Sequence, residues 1–159
     1  MKSINFYLLL LIIGSFVSCK NNTQDNATSI NSTIRLDGEL EHLIIQKGDR
    51  LAYYELSMQY LDYGYEKFLP YSLIMANKYD NPQAYFDTYN CLWNICGNDE
   101  NRIDGTTQTM AIDYLQKASL RGHSQARETL GKYYMQGVYF EKDTILGSQL
   151  IEQAKSLPY

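Results

Sequence analysis

From position 36 onward, apolar residues recur at intervals of three and four, and no stretch alternates apolar with polar residues long enough to argue a strand. The clearest run is Ala126, Leu130 and Tyr134, spaced four apart and therefore on one helical face. Gly131, beside Leu130, leaves room for a neighbouring helix. Gly137 suits a left-handed C-cap, and Asp143 suits the N-cap of the helix that follows. The pattern predicts helices over 38–47, 50–63, 68–79, 82–96, 107–121, 123–136 and 143–156. Proline occurs only at 70, 82 and 158, which leaves most of these runs uninterrupted.

The same frame recurs upstream. Gly48, Ala52, Leu56, Ser57, Tyr60 and Gly64 repeat Gly122, Ala126, Leu130, Gly131, Tyr134 and Gly137, with one extra residue before the closing glycine. Ala76 precedes Ala84 by the interval that separates Ala118 from Ala126. The copy that starts at Ala84 is degenerate, with Thr88, Tyr89 and Leu92 at the leucine, glycine and tyrosine positions, and a polar loop over 97–107 follows it.

This frame resembles the Sel1-like repeat, a tetratricopeptide-type helical hairpin. The fit is best over 122–157, where Ala154 closes the second helix and Gly147 stands where the family usually has alanine. The resemblance implies an all-α fold: a right-handed α-solenoid over 36–159, with one capping helix and three hairpins, each covering its neighbour's apolar face. It also implies a non-catalytic protein–protein interaction module, of the kind represented by immunity and adaptor proteins. Some relatives point instead to a cell-wall-related enzyme, either a peptidoglycan hydrolase or a β-lactam-binding protein.

The N-terminal residues follow a different pattern. Lys2 precedes an apolar run from Phe6 to Ile13, too short to cross a hydrocarbon layer that takes about 20 apolar residues. Residues 1–18 therefore read as a secretory signal. The ending Phe16-Val17-Ser18-Cys19 resembles a bacterial lipobox, with Phe16 where leucine is usual. That resemblance implies lipidation of Cys19 and a membrane-anchored place in the cell envelope; the alternative is ordinary cleavage near Ser18 that leaves Cys19 a thiol. Residues 19–35 are rich in Asn, Ser and Thr without an amphipathic period and read as a tether.

Composition narrows the chemistry. With 14 Lys+Arg against 18 Asp+Glu, the chain lacks the basic excess that nucleic-acid binding needs. His42 and His123 have no partners at metal-ligand spacing and read as solvated surface residues, so neither a metal nor a cofactor is expected. Asp99, Glu100 and Asp104 depart from the ligand order of a calcium loop and read as a solvated segment. Cys91 and Cys96, five apart, project to different faces of a regular helix. This favours two buried thiols over a bridge, which would require unwinding near Ile95. Asp143-Thr144-Ile145 resembles an O-glycosylation acceptor, although an N-cap already accounts for it.

The count of 15 Tyr beside 5 Phe and 1 Trp is unusual. Tyr60 and Tyr134 occupy the repeat's own position. Tyr54, Tyr65, Tyr71 and Tyr139 exceed what the frame needs, as do Tyr53, Tyr63, Tyr85, Tyr89 and Tyr133, and these last five are the candidate partner-binding residues.

Overall fold

The structure, a computed structural model, describes residues 37–60, 64–95 and 103–156. These residues form seven α-helices and no strand: α1 (Asp37–Lys47), α2 (Arg50–Tyr60), α3 (Tyr65–Asn77), α4 (Pro82–Ile95), α5 (Gly105–Leu120), α6 (Ser124–Gln136) and α7 (Thr144–Lys155). Each predicted helix is present. The largest shift is at α3, which begins at Tyr65 and carries Pro70 inside it. Pro70 lies near the helix start, where its missing N–H forgoes a single intrahelical bond, to the Glu66 carbonyl. The main packing contacts join helices that are consecutive or next but one in the chain: α1 on α2 and α3, then α2 on α3, α3 on α4, α4 on α5, α5 on α6, and α6 on α7.

One turn is built three times. Gly48, Asp80 and Gly122 adopt positive φ of 63°, 53° and 88°. The residue after each one caps the next helix. Asp49 Oδ1 accepts from Ala52 N at 2.9 Å, Asn81 Oδ1 from Ala84 N at 3.4 Å, and His123 Nδ1 from Ala126 N at 3.2 Å. Each turn also returns main-chain bonds to the preceding helix, with Gly48 N to Ile44 O, Asp80 N to Ala76 O, and His123 N to Ala118 O. The middle copy achieves this without glycine, since Asp tolerates the left-handed region better than most side chains. A Cβ on Gly48 would lie 2.3 Å from the Tyr79 ring, whose hydroxyl donates to Ile45 O.

The core follows the repeated frame. Ala52, Leu56, Ala76, Ala84 and Ala118 are fully buried, as is Ala126, and Leu130 is nearly so. Thr88, at the degenerate leucine position, is also fully buried and satisfies its hydroxyl on Ser72 Oγ and Ala84 O. Tyr60, Tyr134 and Ala154 are half-buried.

At the C-terminal hairpin, Gly131 and Gly147 set the distance between α6 and α7. A Cβ on Gly131 would meet Gly147 O at 2.7 Å, and one on Gly147 would meet Met135 Cγ at 2.5 Å. Gly137 ends α6 in the left-handed region, and Asp143 Oδ1 caps α7 by accepting from Ile145 N and Leu146 N.

Candidate functional site

Between α2, α3 and α4 the packing opens into a groove with two compartments that share Ser57 and Asp87. The first, of about 340 Å³, is lined by Ser57, Tyr60, Tyr65, Phe68, Asp87, Asn90, Cys91 and Asn94. The second, of about 250 Å³, continues past Tyr53, Tyr54 and Asn81 to Gln83 and Arg50. Asp87, Asn90 and Asn94 come to the groove together because they recur at helical spacing on α4, whose other side carries buried Ala84, Thr88 and Leu92.

Asp87 is the polar centre. Its Oδ2 accepts from the Tyr53 hydroxyl at 2.8 Å and its Oδ1 from Gln83 Nε2 at 2.9 Å. The Gln83 Oε1 in turn accepts from His123 Nε2 at 2.9 Å, so a hydrogen-bond chain joins α2, α4 and the start of α6. Desolvation raises the Asp87 carboxyl above the ordinary carboxylate range, and the two hydrogen bonds offset this only in part. Burial, followed by the nearby Asp87 charge, raises the Tyr53 hydroxyl as well. Cys91 is a buried thiol on the groove floor, pushed up to about 12 by desolvation and by the Asp87 charge.

A second aromatic cluster fills the space between α4 and α6. The Tyr89 and Tyr133 hydroxyls meet at 2.7 Å, Trp93 and Tyr133 each stand edge-on to Tyr139, and Phe86 stacks on His123 at 4.5 Å. Tyr85 donates to Asp80 Oδ1 at 3.0 Å while the Arg121 guanidinium lies 4.2 Å above its ring. Arg121 also pairs with Asp80, tying the turn before α4 to the turn before α6, and it holds the Asp80 carboxyl below its usual range.

These positions correct the tyrosine expectation. Tyr53, Tyr85 and Tyr89 are 2%, 5% and 6% exposed, so they pack helix against helix and present little area to a partner. Tyr133 is half-buried, and Tyr63 lies outside the described residues. Among the described residues, the tyrosines that are exposed are Tyr54 at 61% and Tyr65 at 45%, both on the groove. A signal was present, since Tyr53 and Tyr85 each follow the buried alanine of their copy, a register position that the fold encloses. Asp87, Ser57, Asn90 and Asn94 were missed; the polar stripe on an otherwise apolar α4 was the available cue.

His123 also differs from expectation. It is half-buried as the α6 N-cap, and desolvation lowers its imidazole below the ordinary range. Protonating Nδ1 would remove the acceptor that caps Ala126. His42 is exposed. Asp104 caps α5 by accepting from Thr106 N and Thr107 N. Cys19, Cys96, Asp99 and Glu100 lie outside the described residues. Among the described residues no group of three His, Cys, Asp or Glu is placed to hold a metal ion. No helix among them is long and apolar enough to cross a membrane.

The site and fold define an all-helical protein with a thrice-repeated interhelical turn and an aromatic groove centred on one carboxylate. No protein-family model, curated protein or solved structure matches the chain.

Proposed function

We propose that this chain is an envelope lipoprotein, anchored through Cys19, whose helices stack as a right-handed α-solenoid of Sel1-like hairpins and serve as a non-catalytic protein-docking module. In this reading α1 is the cap, α2–α3, α4–α5 and α6–α7 are the hairpins, and the α2–α4 groove is the docking face. The role is that of an adaptor or an immunity protein that holds one partner.

The observation that carries the reading is the turn before α2, α4 and α6, built three times with a positive-φ residue, a capping residue and a buried alanine at matching positions. Such regularity belongs to arrays in which each unit buries its apolar face on the next. The groove supports the docking role, because it offers hydrogen-bonding side chains beside the exposed rings of Tyr54 and Tyr65.

Two measurements test the proposal. The intact protein, tagged and crosslinked in envelope extracts, should capture one partner in fixed stoichiometry; recovery of none contradicts the docking role. Cys19→Ala should move the protein from the membrane to the soluble fraction, and a variant that stays membrane-bound contradicts the anchor.

A further inference from the structure

The groove carries a more specific chemistry. Resting on the docking role above, we propose that it is a receptor for one cationic side chain, a lysine or arginine on a segment of a partner protein, seated against Asp87 between Tyr60, Tyr65 and Phe68.

Asp87 is held by uncharged groups. Its two partners, Tyr53 and Gln83, are neutral donors. Each carboxylate oxygen therefore accepts one hydrogen bond and keeps further capacity. The resolved ion pairs engage other acids, with Lys117 on Asp113, Arg121 on Asp80, Lys132 on Glu128 and Lys155 on Glu152. A partly desolvated carboxylate without a cation is an unfavourable arrangement, and a cation brought by a partner relieves it. The raised Asp87 carboxyl is the same imbalance seen from the proton's side.

The walls favour a cation over other guests. Tyr60, Tyr65 and Phe68 line the compartment with aromatic rings; Phe68 packs against Tyr53 and Tyr60 while Tyr65 is 45% exposed, and such ring surface attracts an ammonium or guanidinium group and the methylenes behind it. A carboxylate or phosphate entering the same compartment would face the Asp87 charge. Arg50, at the far end of the second compartment, is exposed, and among the described residues no cation contributes to the shift of the Asp87 carboxyl. The first compartment, about 340 Å³, is at the small end of the roughly 300–1,000 Å³ typical of drug-sized ligands, which fits one long side chain.

The surroundings specify a polypeptide as the carrier. Asn90 and Asn94 line the compartment with side-chain amides; Asn94 Nδ2 donates to Asn90 O at 2.7 Å, which leaves its Oδ1 and the Asn90 amide to pair with main chain. Beside the groove, Leu51, Tyr54 and Met58 are 62%, 61% and 51% exposed. Their spacing puts all three on one face of α2, forming an apolar shelf for residues flanking the lysine or arginine.

Titrating the isotope-labelled intact protein with N-acetyl-lysine amide, N-acetyl-arginine amide and the uncharged N-acetyl-norleucine amide tests the inference by NMR. The cationic probes should give saturable shifts at Ser57, Asn90 and Asn94, with the neutral probe about tenfold weaker. Asp87→Asn keeps an acceptor for Tyr53 and should lose the preference for charge. Ser57→Arg leaves Asp87 and Tyr53 intact, places a tethered guanidinium in the groove and should block both cationic probes, so it carries the test if the Asp87 variant misfolds. Equal affinity for the lysine and norleucine probes, or no saturable shift, overturns the inference, as does unchanged lysine binding in a folded Asp87→Asn or Ser57→Arg protein. A captured partner whose binding ignores both substitutions leaves the docking role standing and removes only the cationic receptor.

Discussion

The C-terminal hairpin and the α2–α3 pair use the same frame to opposite ends. In the third copy, the residue after Leu130 is Gly131, and α7 comes so close that a Cβ there would be 2.7 Å from the Gly147 carbonyl. In the first copy, the residue after Leu56 is Ser57, and the equivalent space is left open as the compartment bordered by Tyr60, Tyr65 and Phe68. Backbone-to-backbone contact closes one hairpin, and bulky aromatic rings hold the other apart. One position of the frame thus separates a closely packed helix pair from one that leaves a compartment open.

The largest effect should come from breaking the closed side. Gly131→Val drives a branched side chain into Gly147 and Ile151 and should cost about 3 kcal/mol by thermal or denaturant unfolding. Ser57→Val at the matching open position should stay within about 0.5 kcal/mol of wild type. Equal losses at the two sites would contradict the contrast.

Gly48→Ala should rank second, at about 2 kcal/mol, because it combines a positive φ with a ring 2.3 Å from the new Cβ. Asp80, which already carries a side chain at a φ of 53°, should tolerate replacement by asparagine with a far smaller change in midpoint.

Asp87→Asn should have the smallest effect, and its sign depends on pH. Asp87 has a folded-state carboxyl raised above the unfolded one, so its ionised form opposes folding at neutral pH. That cost fades as pH falls through the raised value and is gone below the ordinary carboxylate range. The variant should therefore be equal to or slightly more stable than wild type at pH 7, with the difference vanishing in acid. A variant less stable at pH 7, with a gap that closes on acidification, would mean that the ionised carboxylate supports the fold.

Most of the fold was legible in the sequence because its signals are local. Helical periodicity, the glycines at 48, 122 and 137, and the capping Asp143 act within a turn or two of where they stand. The burial of the tyrosines was less legible, because it depends on which helix lies opposite. Tyr53 is enclosed by Phe68 and Asp87, and Tyr89 by Trp93 and Tyr133, partners that come from other helices or from turns along the same one. The groove was harder still. It arises where α2 and α3 fail to close, and no local pattern marks a space left unfilled. Asp87 was readable only as one acid among 18 until Tyr53 and Gln83 were placed beside it.

The account turns on the open side of the first hairpin being where a partner docks, and photocrosslinking in the producing cells tests this most directly. A benzophenone amino acid at Met58, 51% exposed on the shelf beside the groove, is compared with one at Leu120, which is 82% exposed at the end of α5. Both positions accept a label, but only one faces the proposed receptor. The account predicts a single discrete protein adduct from position 58 and none from position 120. Adducts of equal yield at both positions, or at position 120 alone, would contradict it.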